Sequence, residues 1–171
     1  MRPCSRARLA YGRTMSRRAS VVRALLQLLP EAGENMTIFD HANEKANLWI
    51  KDMERELGTD DPRQAYHALC ASLHALRDRL RVDEAAQLAA QLPLLVRGVF
   101  YEGWHPASTP VHARRPDEIL ALVDQKLGDG QTIDPERALA ATLEVLRKHV
   151  SAGELASLAH VLPRSIAELA R

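Results

Sequence analysis

From Thr37 onward, apolar residues recur every three to four positions, the spacing of one face of an α-helix. Ala42, Ala46, Trp49, Ile50, Met53 and Leu57 share such a face. Asp40 stands where an N-cap belongs and Gly58 offers a left-handed stop, so the spacing predicts a helix over 40–57. Asp61-Pro62 supplies a cap and a first-turn proline, with Gln64 at the reciprocal capping-box position. The stripe Leu69, Leu73, Leu76 and Leu80 carries the next helix to Arg81. A third helix is expected from about Asp83 to Pro93, which lacks the amide a continuing helix needs. A fourth is expected from Pro93 to Glu102, ending at Gly103. No strand-like alternation persists long enough to predict a sheet.

A shift of 70 residues lays the pattern back on itself. Leu57 and Gly58 meet Leu127 and Gly128, and Leu69, Leu73, Leu76 and Arg77 meet Leu139, Leu143, Leu146 and Arg147. Further on, Glu84, Leu88, Leu92 and Pro93 meet Glu154, Leu158, Leu162 and Pro163. Asp134-Pro135 starts its helix three positions later in this register than Asp61-Pro62, so the second copy should be one turn shorter there. Ser151 and Glu154 form a capping-box pair where the first copy has Arg81 and Glu84. The predicted fold class is therefore all-α, with duplicated units of about four helices packed as one bundle-like domain. The domain is expected over 36–171, as a repeat 36–104 and a repeat 117–171 joined by a proline-rich linker 105–116.

Charge separates the first residues from the rest. Of the 23 Lys and Arg residues, seven are arginines within residues 1–30, which contain no acid; residues 31–171 hold 16 basic against 22 acidic residues. Residues 1–35 are read as a basic extension, disordered or weakly helical, and three origins stay open for it. They are upstream translation ahead of a start at Met15 or Met36, a basic arm for anionic lipid or nucleic acid, and an organelle transit peptide. Arg23 interrupts the only short apolar run, which argues against a secretory signal. The acidic body has the wrong sign for a nucleic-acid footprint, so such binding is expected only non-specifically through residues 1–30. No stretch has the ~20 apolar residues of a transmembrane helix. Two cysteines, Cys4 and Cys70, build neither a disulfide framework nor a four-cysteine zinc site.

Asp61-Pro62-Arg63-Gln64-Ala65-Tyr66 and Leu73-His74-Ala75-Leu76-Arg77-Asp78 resemble the opening of a bacterial family known as domain of unknown function 2267. The run Glu84–Pro93, continued through Arg97-Gly98 to Tyr101-Glu102-Gly103-Trp104, is similar to its most distinctive stretch. Asp134-Pro135-Glu136-Arg137 and His149–Glu154 are similar to its second half. The resemblance covers about Met36 to Arg171 and implies a soluble, all-helical, duplicated bacterial module, read here as cytoplasmic. It brings no assigned catalytic residue.

Three groups carry candidate chemistry. His67, Cys70, His74 and Asp78 form a row on one helix, and each could ligate a transition metal. The outer histidines of that row are spread over ~10 Å of helix, too far to share one ion, so no metal and no cofactor is expected. Arg97, Tyr101, Glu102 and Trp104 surround a helix end, where Glu102 could act as acid or base and Trp104 as an apolar wall. The competing reading is a terminus locked by an aromatic anchor and a salt bridge. His74, Arg77 and Asp78 flank the leucine stripe, either as a solvated edge or as a buried polar network. No glycine-rich phosphate loop or positioned nucleophile accompanies them.

The sequence thus favours a non-enzymatic interaction module, contacting an unknown protein or a second copy of itself as a homodimer. The alternative is a small-molecule- or metal-binding protein or enzyme with a site near Arg97–Trp104. His74, Arg77, Arg97, Tyr101, Glu102 and Trp104 are the candidate contact residues.

Overall fold

A computed structural model describes residues 38–113, 115–128 and 132–168. The predicted extension 1–35 lies outside the described residues. Among the described residues the fold is all-α, with no strand. The helices are α1 (Ile38–Leu57), α2 (Pro62–Arg79), α3 (Val82–Gln91) and α4 (Leu94–Tyr101), then α5 (Pro116–Leu127), α6 (Pro135–His149), α7 (Ala152–Val161) and α8 (Arg164–Glu168). None of them is long and apolar enough to cross a membrane.

Local chemistry sets these boundaries. The Asp61 carboxylate accepts from the Arg63 amide at 2.9 Å ahead of Pro62, and Asp134 accepts from the Arg137 amide at 3.0 Å ahead of Pro135. Such caps are worth about 1 kcal/mol each. Glu84 closes the start of α3 by accepting from both the amide and the guanidinium of Arg81. Glu118 does the same for Arg115 at α5, and at α7 Ser151 accepts the Glu154 amide. Gly58 ends α1 at φ 61°, a conformation that costs glycine nothing and other residues about 1 kcal/mol or more.

Two expected caps differ. Asp40 lies inside the first turn of α1, which begins two residues earlier, so its charge serves the helix dipole there. The Asp61 amide donates to Thr59 Oγ1 at 3.2 Å, where the sequence suggested Gln64. Thr59, held by Gly58 against the end of α1, reaches that amide first.

The core lies between α1, α2, α5 and α6. Helix α2 packs on α1, α5 and α6; α1 also packs on α6, and α5 on α6. Trp49, Met53, Leu73, Leu76, Ile119, Val123, Leu139 and Leu146 fill this centre and are almost wholly buried. Each contributes roughly 1.5–3 kcal/mol by leaving water. The shorter α3 and α4 cover one side, and α7 meets both α3 and α6. The segment 105–116 is tied to α2 at Val111. It contains a 3₁₀ turn at Pro106–Ser108, the Val111 amide donates to the Asp78 carbonyl at 2.7 Å, and α5 already begins at its last residue, Pro116.

Helix limits repeat at the offset read in the sequence. The ends of α1, α2, α3 and the start of α4 (57, 79, 91, 94) correspond to 127, 149, 161 and 164 in α5–α8. Helix α6 begins three residues late in that register, one turn short.

Candidate functional site

A helix leaves its last carbonyls without intrahelical partners. Helix α4 ends in an apolar setting, with Phe100 fully buried, before Gly103 turns the chain at φ 63°. The Val99 carbonyl already accepts the Glu102 amide at 3.0 Å, and side chains of α2 reach the carbonyls around this end. His74 Nε2 lies 2.7 Å from the Val99 carbonyl, and Arg77 Nη1 donates to the carbonyls of Phe100 at 2.6 Å and Glu102 at 2.8 Å. The other side of the guanidinium is held by Asp78, with Nε and Nη2 both 2.8 Å from Oδ1. Lys126 Nζ of α5 approaches Asp78 Oδ2 at 2.7 Å. Arg77 is only 2% exposed, so the network is buried at its centre, while His74, Asp78 and Lys126 around it are partly exposed.

The network fixes the state of His74. Burial pushes its pKa below the ordinary 6.5; the Val99 hydrogen bond opposes this, and the charges of Arg77 and Lys126 reinforce it against Asp78. A neutral ring facing a carbonyl must carry its proton on Nε2.

The remaining candidates do not converge. Tyr101 stacks on Trp104 at 5.3 Å and 29° beside the Gly103 turn, and the Trp104 indole N–H is enclosed without a hydrogen-bond partner among the described residues. The Glu102 side chain is exposed, and it is its main-chain carbonyl that joins the Arg77 network. Arg97 points the other way along α4. Its Nη2 donates to the carbonyls of Leu92 at 3.0 Å and Ala90 at 3.3 Å, at the end of α3. The cleft expected from Arg97, Tyr101, Glu102 and Trp104 is therefore not formed, because the two halves of the group serve opposite ends of one helix.

The metal row disperses in the same way. His67 is exposed and meets the Tyr66 ring edge-on, whereas His74 and Asp78 are engaged as above. Burial pushes the Cys70 thiol up to about 11, and the hydrogen bond with Cys70 pushes the Tyr66 phenol up to about 12. Such a thiol is a poor nucleophile and a poor ligand at neutral pH. Among the described residues no group of three or more His, Cys, Asp or Glu side chains is placed to hold a metal ion.

A different concavity opens at the start of α4. It is a groove of ≈ 620 Å³ between the first half of α1 and the α3–α4 corner, with His149 of α6 at its end. Trp49, Leu92, Pro93 and Leu94 give it apolar walls, and Lys45 and Arg97 give it charge. Trp49 stacks on His149 at 4.9 Å and 24°, and His149 Nε2 lies 2.8 Å from Asp52 Oδ2. Burial raises the Asp52 pKa, but the His149 hydrogen bond and the charges of Lys148, His149 and Arg55 outweigh it and hold the carboxyl below 3.8. Of the sequence candidates only Arg97 belongs to this groove. Lys45, Trp49 and His149 were not singled out, since the sequence gives no sign that α6 ends beside α1.

Helix order, paired caps and a charged lock on α4 define a compact all-α protein. The chain belongs to the family described as "Uncharacterized conserved protein (DUF2267)", whose model matches residues 46–169. Among curated proteins, none matches the chain.

Proposed function

We propose that the chain is a non-enzymatic helical interaction module of the bacterial cytoplasm, which acts by contacting another protein or a second copy of itself. One observation carries this reading. The polar side chains best suited to chemistry, His74 and Arg77, are consumed in closing α4, while large apolar side chains stand in solvent around its other end. Leu94 is 55% and Leu48 56% exposed across the groove, Phe39 lies one turn before Ala42 on α1, and Leu95 follows Leu94. Apolar side chains clustered at a surface mark contact sites more often than single exposed ones do.

The reading includes a duplicated origin for α1–α4 and α5–α8. The common helix limits at the 70-residue offset support it. So does the packing, in which α1 meets α6 as α5 meets α2. Ser72 and Thr142, 70 positions apart, are both fully buried small hydroxyls.

The test is affinity purification of the full chain from its native host, beside the double variant Leu48→Asp, Leu94→Asp, with sedimentation of each purified protein. Retention of a partner or self-association by the wild type, lost in the variant, supports the proposal. Equal behaviour of the two proteins, with monomeric sedimentation and no specific co-purifying protein, overturns it.

A further inference from the structure

We infer that the groove between α1 and the α3–α4 corner binds an amphipathic organic anion, an apolar chain or ring carrying one carboxylate-like head. This goes beyond a protein contact and does not rest on it, because the binding is read directly on the purified chain.

The groove has the volume of a small-ligand site, which commonly falls between about 300 and 1,000 Å³. Its apolar part is continuous, from Trp49 at the base through Leu92 and Pro93 to Leu94 and Leu48 at the rim. Its charge has one sign. Lys45 and Arg97 line it, and among the described residues none of its lining is acidic. Two acids stand beside its histidines: Glu44 lies 3.8 Å from His41 Nδ1, and Asp52 Oδ2 lies 2.8 Å from His149 Nε2. Arg97 is held by the Leu92 and Ala90 carbonyls through Nη2; its Nε is enclosed with no hydrogen-bond partner among the described residues.

A cation, or an apolar molecule without charge, would leave Lys45 and Arg97 unanswered. A small inorganic anion would leave the leucines in water. Only a ligand with both features matches the walls.

Calorimetric titration of the full chain with decanoate, and with decyltrimethylammonium as a matched tail of opposite charge, tests the assignment below the micellar range. Saturable decanoate binding is expected, weakened about tenfold or more by Lys45→Glu and by Arg97→Gln, with no comparable binding of the ammonium. Lys45 is exposed, so its variant carries the result even where Arg97→Gln unfolds. Equal binding of both amphiphiles, decanoate binding indifferent to Lys45→Glu, or no saturable decanoate binding overturns the inference. An anionic lipid headgroup offers the same chemistry, so co-sedimentation with phosphatidylglycerol vesicles is the second arm. Only the part lost in Lys45→Glu counts, because the arginines of residues 1–30 add their own attraction. Lys45-dependent sedimentation without decanoate binding assigns the groove to a membrane surface and overturns a free ligand. Decanoate binding with or without Lys45-dependent sedimentation supports the amphiphile site.

Discussion

Arg77 Nη1 donates to the Phe100 carbonyl at 2.6 Å, across 23 residues of sequence, and so joins the last turn of α2 to the end of α4. Removing one member of a buried, paired group costs more than the pair contributes, because the partners stay buried. Arg77→Ala strands the carbonyls of Phe100 and Glu102 and half of Asp78. A loss of about 3–5 kcal/mol is expected in urea denaturation. Arg77→Lys keeps the charge without the fork and should lose less. A loss below 1 kcal/mol in Arg77→Ala would contradict the burial of the network.

His74 makes stability depend on pH. Its folded pKa lies below the unfolded 6.5, so as pH falls below that value the unfolded chain takes up a proton that the folded chain refuses. Its contribution is complete above pH 6.5 and is lost as pH falls toward the folded pKa. Thermal melts from pH 7.5 to 5 should therefore show a falling Tm, with a shallower slope in His74→Gln, whose amide can still donate to Val99. The Asp52 carboxyl acts in a separate window, below 3.8. An unchanged slope in His74→Gln would remove this histidine from the account.

Cys70 should resist alkylation. With its pKa near 11 against an ordinary 9.0, the thiolate fraction at pH 8 falls about a hundredfold. In a Cys4→Ser chain, iodoacetamide should react with the folded protein about a hundredfold more slowly than with the same chain in urea. Equal rates would mean that the thiol is neither buried nor tied to Tyr66.

Leu73 and Leu143, 70 residues apart, are 0% and 4% exposed. Truncating either to Ala should cost about 2–5 kcal/mol, measured by chemical denaturation. The two costs should be alike if the positions are equivalent. A large cost at one alone would separate the two halves energetically.

Most of the helix limits were legible in the sequence because they are set locally. Asp61, Asp134, Gly58 and the prolines act on the few residues beside them, and a sequence displays those neighbours. The role of Arg77 was only half visible. Its position four residues after Leu73 places it on the apolar face, but nothing local names the α4 carbonyls as its partners. The pairing of Arg97 with Trp104 failed for a related reason. Spacing fixes the face of a helix, whereas the reach of a long side chain toward one end or the other is decided by what packs there. The groove was invisible, since it exists only once α1 lies against the α3–α4 corner and α6 ends beside Trp49.

That placement of α1 governs the order in which the molecule can be assembled. Helix α1 leaves the ribosome before α6, and although α2 soon packs on it, several of its bonds come late. Asp52 waits for His149, 97 residues on, Met53 for Thr142, 89 residues on, and the Leu57 carbonyl for Arg137, 80 residues on. Loops that long close slowly, and their contacts pay back only at the end. A nascent chain stopped at the 105–116 segment therefore holds a leucine-lined face with nothing to cover it. Fragments 36–104 and 117–171 produced separately should each be poorly structured alone and gain helicity on mixing, as two halves of one core.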